Sequence, residues 1–208
     1  MQDYQIRIEL KTETLFGNGE AIAGFLNADV QTDQYGLPFL KAKTLKGLLR
    51  DNMELIQFNR KCDSEQVTRL FGNETREGII RFSNAEFSEE VKSAIIKALD
   101  RNQVTKDEIK RAITTEFTYT TIENGVAKDH SLRTFRMLQK ELVFYADAII
   151  MEDMQMEEDE ACLGTAVALL KHVGTLKSKG KGVVTCSLLK DGVPIQDACI
   201  KRLCKGAE

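Results

Sequence analysis

A strand pattern near each end, two long helical patterns each lying between strands, and a polar stretch at mid-chain predict an α+β fold. The coarse order is strand, helix, strand, an insertion, then strand, helix, strand. That is the β-α-β-β-α-β order of a ferredoxin-like core, split between its halves by a helical and hairpin insertion. The core is expected over about residues 1–87 and 138–190 and the insertion over about 88–137, all within a single domain.

The first strand is read from YQIRIEL, whose apolar and polar residues alternate with period two. Gly17, Gly19 and Gly24 then break the pattern, and residues 21–38 read as a long irregular loop. TLKGLLRDNMELIQF returns to helical spacing, with Leu45, Leu48, Leu49, Met53 and Ile56 on one face and Thr44 as the expected N-cap. LFGN ends the next amphipathic piece, and GIIRFSNAEF reads as the second strand. Two helices open the insertion. SEEVKSAIIKALDRN takes Ser88 as its cap, and TKDEIKRAITTEF takes Thr105 with Glu108 three residues on, a capping box. The polar residues 118–134, TYTTIENGVAKDHSLRT, read as an extended loop or hairpin pivoting at Gly125. KELVFYADAII is a strand, EDEACLGTAVALLKHV a mostly buried helix that Gly174 would cap, and GVVTCSLL a last strand.

The chain has 208 residues, 42% apolar and 29% charged, with a formal net charge of -3. This is an ordinary globular balance, and it excludes a chain that is basic all over. No apolar run reaches the roughly 20 residues of a membrane span, and the N-terminus lacks a secretory signal's apolar centre, so a cytoplasmic protein is expected. The five cysteines are scattered without a Cys-x-x-Cys pair, which predicts reduced, mostly buried thiols and not structural zinc. Charge is nevertheless segregated. EDMQMEEDE, residues 152–160, carries acids and no base, whereas Lys41, Lys43, Lys46 and Arg50 fall in a run without an acid. Residues 171–181 also hold lysines and no acid. An acidic chain can still present a basic stripe to a polyanion.

Two segments carry that stripe. Gly47 is expected in the first turn of its helix, with Lys46 and Arg50 on one face, an arrangement suited to clamping a phosphate. In GTLKSKGKGVV, Gly174, Gly180 and Gly182 would let backbone amides approach a ligand. Lys177, Lys179 and Lys181 alternate, so an extended conformation would place all three on one side. Point charges at intervals suit a phosphodiester backbone better than one shaped pocket would.

These segments resemble a known family. YGLPFLKAKTLKGLLR resembles the motif that opens the first helix of the RAMP superfamily, the RNA-binding proteins of CRISPR effector complexes, usually written with IPGSSLKGALR. Lys41-Ala42-Lys43-Thr44 stand where the usual Pro-Gly-Ser-Ser precedes Leu-Lys-Gly. GTLKSKGKGVV is similar to the superfamily's glycine-rich loop. TYTTIENGVAKDHSLRT resembles the mid-chain segment of type III backbone subunits, with Thr120, Gly125, His130 and Arg133 in a projecting hairpin.

The resemblance implies an RNA-recognition-motif-like fold and a backbone subunit that grips CRISPR RNA, pairs it with target RNA and assembles head to tail with other effector subunits. It also implies target cleavage by an aspartate in the loop after the first strand. Asp29 is the better positional match and Asp33 the lesser, with Asp29 holding a magnesium or manganese ion. The hairpin would wedge between bases and be mobile without RNA. Two other readings stay open: a stand-alone endoribonuclease that processes CRISPR RNA through His130 or His172, and a non-catalytic capping or scaffold subunit.

Overall fold

The computed structural model describes residues 4–17, 19, 26–58, 62–151 and 156–205. Gly24, the first part of the expected 21–38 loop, and Glu152 and Asp153 of the acidic run lie outside the described residues. The chain runs β1 (Tyr4–Leu10), α1 (Ala42–Phe58), α2 (Ser64–Phe71), β2 (Ile80–Phe82), α3 (Glu89–Asp100), α4 (Lys106–Ile113), β3 (Thr114–Tyr119), β4 (Ile122–Glu123), β5 (Val126–Ala127), β6 (Arg133–Leu138), β7 (Val143–Ile150), α5 (Met156–Leu169), β8 (Val184–Lys190), β9 (Val193–Pro194) and α6 (Gln196–Lys205).

The mixed α+β class follows. Five strands form an antiparallel sheet in the order β2-β7-β1-β8-β9. The period-two pattern of β1 puts Tyr4, Ile6, Ile8 and Leu10 into the core and leaves Gln5, Arg7 and Glu9 on the half-buried face. Phe144 and Ala146 of β7 and Cys186 and Leu188 of β8 join the same buried cluster. Leu45, Leu49 and Met53 of α1 and Cys162, Leu163 and Val167 of α5 complete it, so α1 and α5 supply the second layer. The acidic run is partly interior. Asp159 is fully buried and ion-paired with Arg69 of α2, and Glu160 accepts from Lys190 and from the Tyr4 hydroxyl. Four cysteines are buried free thiols and Cys204 is exposed. Burial pushes the Cys186 thiol up to about 12.

Ser88 and the Thr105–Glu108 box cap α3 and α4 as the sequence predicts, and an Asp63–Gln66 box caps α2. Other expectations need correction. Helix α1 begins at Ala42, not after Thr44, because Asn84 reaches across and its Oδ1 accepts from the Ala42 N–H at 2.9 Å. Gly47 therefore sits in the second turn. Helix α4 stops at Ile113, and the β-branched and aromatic run TTEFTY becomes β3, paired antiparallel with β6 from Thr114↔Leu138 to Tyr119↔Arg133. Helix α5 ends at Leu169, so His172 lies outside it and bridges Val183. Strand β9 and helix α6 follow the last strand expected from the sequence and extend the chain beyond it.

Gly174 consequently caps no helix; it lets two backbones touch. Its φ is +76°, and a Cβ there would stand 2.3 Å from the Leu15 carbonyl oxygen. Gly182 has φ +75°, and its Cβ would stand 2.1 Å from the Val173 carbonyl oxygen. The Gly182 N–H donates to the Glu13 carbonyl at 2.9 Å, and the Val173 N–H donates to the Gly182 carbonyl at 2.8 Å. Gly180 has φ +70° and open space where a Cβ would go. Chemical denaturation should separate the three. Gly174→Ala and Gly182→Ala should each cost at least about 2 kcal/mol, because backbone must move, whereas Gly180→Ala should cost only about 1 kcal/mol of left-handed strain.

Candidate nucleic-acid interface

The cationic residues fall into two groups on separate elements. At the start of α1, Lys41 just before the helix and Lys43 and Gly47 within it are exposed and Lys46 and Arg50 half-buried, and the Arg50 Nε donates to Glu54 Oε1 at 3.2 Å. Among the described residues nothing lies within 4 Å of where a Gly47 Cβ would be. A glycine inside a helix costs about 1 kcal/mol relative to alanine, and no packing among the described residues requires it here. Bare backbone is instead presented to whatever approaches the helix.

The second group does not take the expected extended form. Lys177–Lys179 make one turn of 3-10 helix, entered through Leu176 at φ +63° and left through Gly180. Lys177 and Lys179 are exposed. Lys181 is pinned, its Nζ donating to Glu13 Oε2 at 2.9 Å. The three lysines are thus not equivalent, and two of them are bound to the hairpin. The Lys179 Nζ lies 4.0 Å from the Tyr119 ring centroid, and the Lys181 Nζ lies 4.4 Å from that of Phe117.

That hairpin is the segment resembling the mid-chain motif. Strands β3 and β6 form its root, and β4 and β5 its tip, turning through Asn124 and Gly125 at φ +51° and +80°. Thr120 and Ser131 share a hydroxyl contact of 2.6 Å at the neck. Residues 121–130 are all exposed, including Ile122, Val126 and His130, and so are Leu132 and Arg133. The tip thus exposes apolar side chains while the root is packed. At the root, Phe117 and Phe135 are opposite in register, and Tyr119 stacks with Phe135 at 5.6 Å between centroids and 3° between planes. The aromatic alternation in TEFTY and TF was the available sequence signal for this root; the helix expected to run on to Phe117 obscured it.

Asp29 lies beside the root. It is 7% exposed, and its Oδ2 accepts from Lys110 Nζ of α4 at 2.8 Å and from Arg136 of β6 at 2.9 Å. Its Oδ1 accepts from the Val30 N–H at 2.7 Å. Burial alone would raise this carboxyl, but the Lys110 and Val30 hydrogen bonds and the two positive charges outweigh it and hold it below the usual carboxylate range. Asp33 is engaged locally, its Oδ1 accepting from the N–H groups of Tyr35 and Leu37 around a tight turn. Among the described residues no three His, Cys, Asp or Glu side chains gather to hold a metal. A carboxylate already facing two cations does not fit a divalent ion, and Asp29 here joins the loop, α4 and β6.

A cavity of about 480 Å³ on the half-buried sheet face is lined by Glu86, Glu89, Glu90 and Asp147 among others, a poor surface for a polyanion. Removing the Asp29 charge should destabilise the domain. Asp29→Asn should cost about 2 kcal/mol, since Lys110 and Arg136 keep partial solvent access. With its folded pKa depressed, Asp29 contributes stability that is present above about 3.8 and lost as pH falls through the lower folded value. Acid titration of unfolding in wild type and Asp29→Asn should therefore converge below that pH.

Comparison with known proteins places this surface in context. The RAMP superfamily model matches residues 7–185. No curated protein matches the chain. Among solved structures, a chain of the type III-B Cmr-beta complex bound to cognate target RNA has a TM-score of 0.64 at 16% identity, over 91% of this chain and 60% of that one. This chain thus spans well under two thirds of that relative's length. A chain of apo Cmr-beta has a TM-score of 0.66 at 14% identity, over 92% and 98% of the two chains. Oligomeric Cmr4 from Pyrococcus furiosus gives 0.53 at 15% identity, over 91% and 98%. Since the family match runs from within β1 through the α1 motif, the hairpin and the glycine loop, the chain belongs to the RAMP superfamily.

Proposed function

We propose that this chain is an RNA-gripping backbone subunit of a type III CRISPR effector complex, acting in antiviral defence. The observation that carries the reading is the docking of the cationic glycine loop on the root of an exposed hairpin, with Lys179 over Tyr119 and exposed Arg133 opposite Tyr119 in register. Exposed cations at intervals neutralise phosphate without reading bases, which suits a guide whose sequence changes. The α1 group, with Gly47 open to close approach, supplies a second set of backbone contacts. We read the strand order, with β1 and β7 inside β2 and β8, as the ferredoxin-like core that holds both sets.

The expected partners are CRISPR RNA, target RNA and other effector subunits in the cytoplasm, with copies joined head to tail. Support comes from the similar chain in the Cmr-beta complex bound to cognate target RNA and the similar Cmr4 seen as an oligomer. No helix among the described residues is long and apolar enough to cross a membrane. In this reading Asp29 braces the hairpin and holds no metal. His130 is exposed on the hairpin and His172 is held beside Val183, so neither stands in a built acid–base site.

Replacing Lys177 and Lys179 together by alanine should weaken all RNA sequences alike. It should flatten the log–log salt dependence on single strands by roughly 0.7 for each phosphate no longer neutralised. An unchanged slope would count against the loop. Gly47→Ala should stabilise the protein by about 1 kcal/mol and still lower RNA affinity, a split that packing alone does not produce. Target cleavage by an assembled complex with magnesium tests the brace: equal cleavage by wild type and Asp29→Asn fits it, and selective loss with unchanged folding would restore a catalytic Asp29.

A further inference from the structure

We propose that the face of Tyr119 now lying under Lys179 is a stacking site for an unpaired RNA base, and that Lys179 moves off the ring onto phosphate when the base arrives. The proposal rests on the RNA-binding reading above and adds to it a contact with bases. Three observations lead to it. Tyr119 is half-exposed at the hairpin root, and its ring plane lies within 3° of that of Phe135, so its orientation is fixed before any ligand arrives. Its cover is a single exposed lysine 4.0 Å from the centroid. Among the described residues Lys179 has no salt-bridge partner to hold it there.

The neighbouring pair shows what a fixed cover looks like. Lys181 over Phe117 is tied to Glu13 at 2.9 Å and its side chain is only 18% exposed, so Phe117 stays closed. Lys179 has no such tether. A base stacked on an aromatic ring is worth roughly two to three times an exposed lysine at the same face, so a base takes the ring. The displaced ammonium remains beside the base's own phosphate, where its charge is used a second time. Arg133, opposite Tyr119 in the hairpin register and exposed, stands ready for the next phosphate along. Every base has a π-face, so the site reads no sequence, as a changing guide requires.

The test uses the intact chain and two single-stranded oligoribonucleotides of equal length and charge, one of adenylate and one abasic. Wild type should bind the adenylate strand about tenfold more tightly than the abasic one. Tyr119→Leu should lose most of that preference, with affinity for the abasic strand unchanged, and Tyr119→Phe should keep it. The chain has no tryptophan, so tyrosine emission is readable, and adenylate should quench it in wild type more than in Tyr119→Phe. Equal binding of both strands by wild type would overturn the stacking site and leave the phosphate track standing. A preference that survives in Tyr119→Leu would also overturn it. Binding of neither strand would overturn the track and the stacking site together.

Discussion

The candidate interface depends on how the chain leaves β1. Glu13, Thr14 and Leu15 are shared by two segments far along the sequence, the hairpin and the glycine loop. Thr14, fully buried, exchanges backbone hydrogen bonds with Leu138 at the base of β6. Its neighbours hold the glycine loop: the Glu13 carbonyl accepts from Gly182, and the Leu15 carbonyl sits where a Gly174 side chain would be. Hairpin and loop are therefore positioned by the same three residues, which sets the backbone of the loop beside the hairpin root and brings Lys179 within reach of Tyr119. The glycines are needed for that contact. A side chain at 174 would strike the Leu15 carbonyl and push the loop off the segment, and one at 182 would strike the Val173 carbonyl and distort the loop itself.

A second layer of constraint comes from charge. The hairpin root is held through Arg136, which shares Asp29 with Lys110, so one carboxylate connects the loop before α1, the insertion helix α4 and strand β6. A buried carboxylate with two cationic partners and a backbone donor is well satisfied, and losing it leaves like charges facing each other. Lys181 repeats the device on the loop side with Glu13. Cations that meet carboxylates build the site. Lys177, Lys179 and Arg133 meet no carboxylate among the described residues, and these are the cations proposed to meet RNA.

Much of the framework was legible because periodicity reports burial directly. The alternation in YQIRIEL and the apolar face of Leu45, Leu49 and Met53 appear in the structure as the sheet and helix layers. Capping chemistry is equally local, and Ser88 and Thr105 sit where side-chain rules put them. What the chain hides is non-local. Nothing near Ala42 shows that Asn84 will cap it, and nothing near Asp29 shows that Lys110 and Arg136 will converge on it. The boundary at Ile113 escaped for another reason: KDEIKRAI and TTEFTY join without a glycine or proline, so only strand pairing with β6 ends the helix.

The central proposal is that the glycine loop, the hairpin and the start of α1 all contact RNA. Hydrogen–deuterium exchange with and without a single-stranded RNA tests it most directly, because it reports every backbone segment at once. The account predicts added protection over residues 42–50, 118–134 and 174–182 together, with no change around the acid-lined cavity near Glu89. Protection confined to one of the three segments, or centred on that cavity, would contradict it.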